Sequence, residues 1–118
     1  MAEENYEDRR SATRVNVVCP VTLKGAVKEY HGLMRNVSLG GAAIEGSEEL
    51  PDKKQYVIEF ALPDGPELKC ECEIMWAIRH EKIYMYGVRF LSVGMFGKMK
   101  LKSYIERKVT NESRNSRP

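Results

Sequence analysis

The feature that most constrains the fold is an alternation of apolar and polar residues that begins at Arg14 and recurs as far as Phe90. Every second residue is apolar in these stretches, which is the period of a β-strand with one buried face. The stretches are residues 15–23, 27–37, 42–45, 56–62, 68–78 and 84–90, the second and third more weakly patterned than the others. Pro63-Asp64-Gly65-Pro66 is typical of a hairpin turn and joins two of them. The pattern predicts about six strands.

The period changes after Gly94. Apolar residues then recur at helical spacing and cluster on one side of a helix, although Lys98 and Lys102 interrupt the stripe. The apolar residues of the stripe are Met95, Met99, Leu101, Ile105 and Val109. Short antiparallel strands followed by one helix indicate a mainly β protein, a six-stranded antiparallel β-barrel with a C-terminal α-helix.

The chain of 118 residues is long enough for one domain with one core. Residues 1–13 are polar and charged, with Tyr6 as their only large apolar residue, so we expect a flexible N-terminal arm. Residues 14–109 form the predicted barrel and helix. Residues 110–118 are polar, and we expect them to be a disordered tail.

Composition excludes several classes of protein. With 42% hydrophobic and 31% charged residues and no long apolar run, the chain predicts a soluble protein without a membrane span. Its acidic first residues do not resemble a secretory signal, so we expect a cytoplasmic location. Cys19, Cys70 and Cys72 lie in apolar stretches without ligand spacing, which favours buried thiols over a zinc site. No metal site is expected.

The C-terminal part of the chain is basic. The segment from Lys98 to Pro118 contains seven basic and two acidic residues, although the whole chain carries a net charge of only +2. The basic residues can form a solvated helix face or contact an acidic partner.

Two short motifs carry the functional information. The first is Arg9-Arg10-Ser11-Ala12-Thr13-Arg14, where the arm meets the first strand, and the second is Asn36-Val37-Ser38-Leu39-Gly40-Gly41. Together they resemble the two motifs of the PilZ family, R-x-x-x-R followed by [DN]-x-S-x-x-G. The resemblance continues through the strand of Trp76, through Tyr86-Gly87-Val88-Arg89-Phe90 and into the closing helix.

The resemblance implies a receptor for cyclic di-GMP whose N-terminal arginine arm closes over the nucleotide on the barrel surface. It implies that seven residues bind the nucleotide: Arg9, Arg10, Arg14, Asn36, Ser38, Gly41 and Trp76. The chemistry suits this ligand, because a guanidinium pairs bidentately with phosphate oxygens or a guanine edge and stacks on a base. No other cofactor is expected.

Several residue roles have two interpretations. Many PilZ proteins have aspartate where this chain has Asn36, so we expect somewhat weaker binding from the amide. Gly40-Gly41 either forms an ordinary turn or allows the close approach of a ligand. Trp76 either stacks on the nucleotide or packs in the core with Ile74 and Ile78. In PilZ proteins an arginine directly before the first motif, as Arg9 is here, tends to accompany a bound nucleotide dimer, and this resemblance favours two nucleotides per chain.

The alternatives come from other functional classes. A PilZ-like protein-interaction module that no longer depends on nucleotide is the strongest of them. A single-stranded nucleic-acid binder is a poor fit, because the aromatic residues alternate as core residues would, so neither DNA nor RNA is expected. We find no nucleophile with a base and no carboxylate pair, so we expect no enzyme. A downstream protein partner that reads the nucleotide-bound surface is expected.

Overall fold

The computed structural model describes residues 13–50 and 54–115, and it shows a closed barrel of antiparallel strands with a helix at the C-terminal end. Around the barrel the strands follow the order β1-β2-β3-β6-β5-β4. Their bounds are β1 Val15–Lys24, β2 Glu29–Val37, β3 Gly41–Gly46, β4 Gln55–Ala61, β5 Glu67–His80 and β6 Ile83–Ser92, followed by α1 Met95–Asn115. The predicted six-stranded barrel is therefore confirmed.

The interior of the barrel contains the apolar members of the alternating stretches. In β1, for example, five apolar residues spaced two apart are each at most 4% exposed: Val15, Val17, Cys19, Val21 and Leu23. All three cysteines are buried and unpaired, as predicted. Burial raises the pKa of Cys70 to about 11 and that of Cys72 to about 12, because the interior disfavours a thiolate.

Four β-bulges interrupt the pairing of the described strands, and each places two residues of one strand opposite a single residue of its neighbour. In β2 the extra residue is Arg35, since Met34 and Asn36 face Ile44 and Ala43, which are adjacent in β3. In β5 the extra residue is Met75. Beyond the bulges in β2 and β5, the residues lie on the face opposite to the one that simple alternation predicts, so these two bulges decide which side chains leave the core.

Helix α1 contributes to the same core through Leu101, Tyr104 and Ile105, which are at most 6% exposed. The predicted apolar stripe is therefore partly wrong, because Met95, Met99 and Val109 are exposed. Only one narrow face of the helix meets the barrel, and positions 101, 104 and 105 define it at the spacing of adjacent helical turns. The ring of Tyr104 lies against Gly65 in the β4–β5 turn.

The helix continues to Asn115, six residues further than the sequence predicts. Extending an existing helix adds one hydrogen bond for each residue that is fixed, so a polar segment can follow where an apolar one has nucleated the helix. Within the described residues, the helix is too polar to cross a membrane.

Candidate functional site

Arg14 and Asn36, which come from different motifs, are in direct contact. Arg14 lies one residue before β1, and its Nη1 donates a hydrogen bond of 2.8 Å to Oδ1 of Asn36. The contact follows from the register, because Val15 pairs with Val37 and Asn16 with Asn36. The barrel therefore brings together two predicted site residues that are 22 positions apart in the chain.

Ser38 occupies the tight turn between β2 and β3 and is 4% exposed. Its backbone N–H donates to the carbonyl of Gly41 at 2.8 Å, and the N–H of Gly40 donates to its Oγ at 3.2 Å. The hydroxyl also donates to the Gly41 carbonyl at 3.3 Å. In this structure the backbone and the hydroxyl of Ser38 stabilise the turn in which Ser38 lies.

The two glycines of this turn are not equivalent. A Cβ at Gly41 would overlap the carbonyl oxygen of Val88 in β6, so the close approach of β3 and β6 requires glycine there. A Cβ at Gly40 would meet no described atom within 4 Å. The Gly40 carbonyl accepts the N–H of Phe90 at 2.9 Å, which ties the turn to β6. The close contact between the backbones of β3 and β6 therefore explains why residue 41 is a glycine.

Four residues in register across four strands form what we call the Asn36–Trp76 row. Asn36 pairs with Ala43, Ala43 with Gly87, and Gly87 with Trp76. The row lies on the outer face, because the neighbours of Ala43 and Gly87 along their strands point into the core. Three inter-strand steps separate its ends by roughly 14 Å along the sheet. Two small residues thus lie between an amide and a tryptophan, and the indole of that tryptophan covers the nearer one, Gly87.

Trp76 is not a core residue. It is 42% exposed, whereas Ile74 is fully buried, although simple alternation would place both on one face. The bulge at Met75 separates them and turns the indole onto the outer face, over Gly87. The core interpretation of Trp76 is therefore wrong. Gly87 was not predicted as a site residue, and its only sequence signal is a glycine inside a strand.

Two further arginines lie on the outer face near the row, and each is paired with a carboxylate. Arg35 donates to Glu45 at 2.7 Å, and Arg89 donates to Glu73 at 2.8 Å. Arg89 pairs in register with Gly41 and so adjoins the turn of the second motif. Both are more than 45% exposed, which leaves guanidinium groups available to an anion at the edges of the row.

A groove of about 480 Å³ separates the start of the described chain from the second half of α1. Thr13 and Leu39 line one side, and Lys102, Ile105 and Val109 are among the helix residues on the other. The groove places the helix beside both motifs. Arg9 and Arg10 lie outside the described residues.

Comparison with known proteins supports a single family. Residues 8–107 match the PilZ domain. An uncharacterized protein of Aquifex aeolicus (strain VF5) is 27% identical over 92 residues, which are 77% of this chain and 45% of that protein. The chain therefore spans about half the length of this relative.

Solved structures share the fold at low sequence identity. The Bacillus subtilis inhibitor of motility MotI/DgrA superposes with a TM-score of 0.76 at 18% identity, over 87% of this chain and 52% of that one. The PilZ domain of YcgR from Escherichia coli with c-di-GMP superposes with a TM-score of 0.72 at 16% identity, over 92% of this chain and 97% of that one. At such identities the likeness establishes the barrel and its helix.

Proposed function

The chain belongs to the PilZ domain family, and from this membership we propose that it is a cytoplasmic receptor for cyclic di-GMP in bacterial signalling. The observation that carries the proposal is the hydrogen bond between Arg14 and Asn36, which joins the two family motifs at one point of the barrel surface. A similar barrel, that of YcgR, has been solved with c-di-GMP.

Arg14 is oriented for binding before a ligand arrives. A guanidinium has five N–H donors in a planar fork, and the bond to Asn36 fixes the orientation of that plane. The remaining donors can pair with a phosphate or a guanine edge. Because the side chain is already held, less conformational entropy is lost on binding.

The Asn36–Trp76 row gives the second half of the proposed site. A base that lies over Ala43, beside Asn36, can stack against the exposed indole of Trp76, which itself covers Gly87. Such a contact is worth about 1–3 kcal/mol per base. Ser38 and Gly41 then act through the turn that they shape, which positions Asn36 at the end of β2.

The arm completes the site in this proposal. Arg9 and Arg10 precede Arg14 by a few residues, so they can reach a nucleotide that Arg14 already contacts. Binding would order the arm next to the groove between Thr13 and α1, which changes the surface around the helix. A downstream protein partner would recognise this changed surface.

The decisive test is calorimetry of cyclic di-GMP with the wild type and with Arg14→Ala. Hydrogen bonds to charged groups contribute roughly 1.5–3 kcal/mol each, so we expect the variant to bind about tenfold to a hundredfold more weakly or worse. Arg14→Lys keeps the charge but loses the fork, so it should recover only part of the affinity. Arg79→Ala is the matched control, because Arg79 lies at the far end of β5 and bonds to the carbonyl of Glu81.

Wild-type protein that binds no nucleotide at micromolar concentration would contradict the proposal. It would favour the nucleotide-independent interaction module instead. Equal losses in Arg14→Ala and Arg79→Ala would show that general charge, and not the geometry at Asn36, determines binding.

The number of bound nucleotides is tested at position 9. We propose that two nucleotides bind per chain, because a further guanidinium can pair with a second guanine and offset repulsion among four phosphodiester charges. Arg9→Leu should then lower the calorimetric stoichiometry from two to one and weaken binding without abolishing it. A wild-type stoichiometry near one would contradict this part and leave the receptor proposal intact.

A further inference from the structure

The first turns of α1 expose three large apolar side chains. Met95 is 77% exposed, Phe96 76% and Met99 60%. Met99 adjoins the other two on the helix surface, since it is four positions from Met95 and three from Phe96. We call these three residues the α1 patch. The residues that attach the helix to the core follow later, from Leu101 to Ile105.

The barrel does not explain the α1 patch. Gly97 lies beside the α1 patch in the chain and approaches the side chains of Val93 and Leu68. The helix therefore contacts the barrel there through the face that contains Gly97. The patch lies away from that contact. Covering three such side chains releases the water around them and is favourable, which identifies the patch as a surface for a partner.

The charges around the α1 patch specify what kind of partner fits. Lys98, Lys100 and Lys102 are all exposed and lie within one turn of Met99. The first turn of α1 contains no acidic residue, although the positive end of the helix dipole favours acidic residues there. The positive potential of the dipole and that of the three lysines therefore add, and a surface of negative charge complements both.

We propose that the α1 patch docks the protein on an anionic lipid bilayer. Lysine is depleted in protein–protein interfaces, whereas at a membrane its long stem follows apolar side chains while its ammonium stays among the headgroups. A phenylalanine and two methionines at the exposed start of a helix suit shallow insertion between lipids. This is the arrangement of an interfacial helix, with apolar residues inserted and lysines beside them.

The geometry separates the docking surface from the candidate nucleotide site. The helix rises about 12 Å from Gly97 to Ile105. Its first turns approach Leu68, and its second half faces Thr13 and Leu39 across the groove. The α1 patch is thus at the end of the helix far from Arg14, and nucleotide binding need not displace the membrane.

The test is co-sedimentation of the full chain with vesicles of phosphatidylglycerol mixed with phosphatidylcholine, and with vesicles of phosphatidylcholine alone. We expect binding to the mixed vesicles only. Phe96→Ser should weaken it about tenfold or more, because the apolar contact is lost. Each of Lys98→Gln and Lys100→Gln should weaken it about fivefold, the contribution of one lysine near an anionic surface.

Matched controls lie elsewhere on the surface. Val27→Ser removes an apolar side chain that is 97% exposed between β1 and β2, and Lys82→Gln removes an exposed cation at the β5–β6 turn. Both should bind vesicles like the wild type. All variants alter exposed side chains, so circular dichroism and the midpoint of thermal unfolding should be unchanged, and cyclic di-GMP affinity should be unaffected.

Three outcomes would overturn the inference. The first is wild-type protein that does not sediment with mixed vesicles, and the second is equal binding to neutral vesicles. The third is a protein occupant, shown if Phe96→Ser abolishes binding to a purified protein partner while vesicle binding is absent or unchanged.

Discussion

At the scale of single residues, the contact between Trp76 and Gly87 determines the surface of the candidate site. A Cβ at Gly87 would overlap Nε1 and Cε2 of the indole, so the ring lies directly on the backbone of β6. The glycine is required by its neighbour, since among the described glycines only Gly94 has a positive φ. The indole can keep this position on the outer face only while residue 87 has no side chain.

We predict that Gly87→Ala displaces the indole and weakens cyclic di-GMP binding, because the added methyl group occupies the place of the ring. Trp76 is the only tryptophan, so its fluorescence emission should shift to the red as the ring enters water. Gly40→Ala is the matched control, since its Cβ would meet no described atom within 4 Å. Unchanged emission and affinity in Gly87→Ala would show that the indole accommodates the methyl group and does not stack on the nucleotide.

At the scale of elements, alternation predicts the buried side chains of β4 along its whole length but those of β5 only as far as its bulge. The alternation in β4 predicts its buried side chains directly, with Tyr56, Ile58 and Phe60 in the core. In β5 the same rule fails beyond Ile74, because a bulge depends on the pairing with β6 and leaves no mark in the sequence of β5 itself. The contact between Arg14 and Asn36 likewise could not be predicted without the register of β1 and β2.

The helix likewise has features that the sequence predicts and features that it does not. Its existence follows from the change of period after Gly94, and Leu101 and Ile105 were correctly assigned to its apolar stripe. The exposure of Met95 and Met99 could not be predicted, since an apolar residue on a helix does not reveal whether another element covers it. The family motifs identified the site residues by type, and the barrel shows how Arg14 and Asn36 meet.

We predict that Leu101→Ala lowers the free energy of unfolding by about 2–5 kcal/mol, the usual cost of deleting a fully buried leucine side chain. Met99→Ala on the same helix should change it by less than about 0.5 kcal/mol, because Met99 is 60% exposed. Urea unfolding followed by circular dichroism measures both. Equal effects would mean that α1 does not pack as described.

At the scale of the whole molecule, one core joins the barrel and the helix. Leu101 and Tyr104 of α1 belong to the same cluster as Cys19, Cys72 and Phe60 of the strands. A single small domain of this kind generally unfolds in one cooperative step. A change in the ionisation of one buried group therefore affects the stability of the entire fold.

We predict that the free energy of unfolding decreases as the pH rises above about 8.5, the pKa of a thiol in an unfolded chain. Burial raises the pKa of Cys70 to about 11 and of Cys72 to about 12, so in this range the folded protein holds protons that the unfolded chain has lost. Stability is fully present below that pH and falls until the folded thiols ionise. Urea unfolding at several pH values measures the slope.

The matched control is the double variant Cys70→Ala, Cys72→Ala. It should be less stable at neutral pH, because two buried sulfur atoms are lost, but its stability should depend less on pH. An unchanged slope would show that other groups cause the alkaline loss of stability.

The bulge at Met75 has a consequence for how variation in chain length acts on this protein. Deleting that one residue would remove the bulge and place Trp76 directly after Ile74, so simple alternation would still direct the indole to the outer face, opposite Gly87. The deletion of Met75 is therefore expected to preserve the candidate site, as is a substitution at Met75, which is 46% exposed. In a mutational survey, this position should tolerate the loss of its residue as well as a change of its identity.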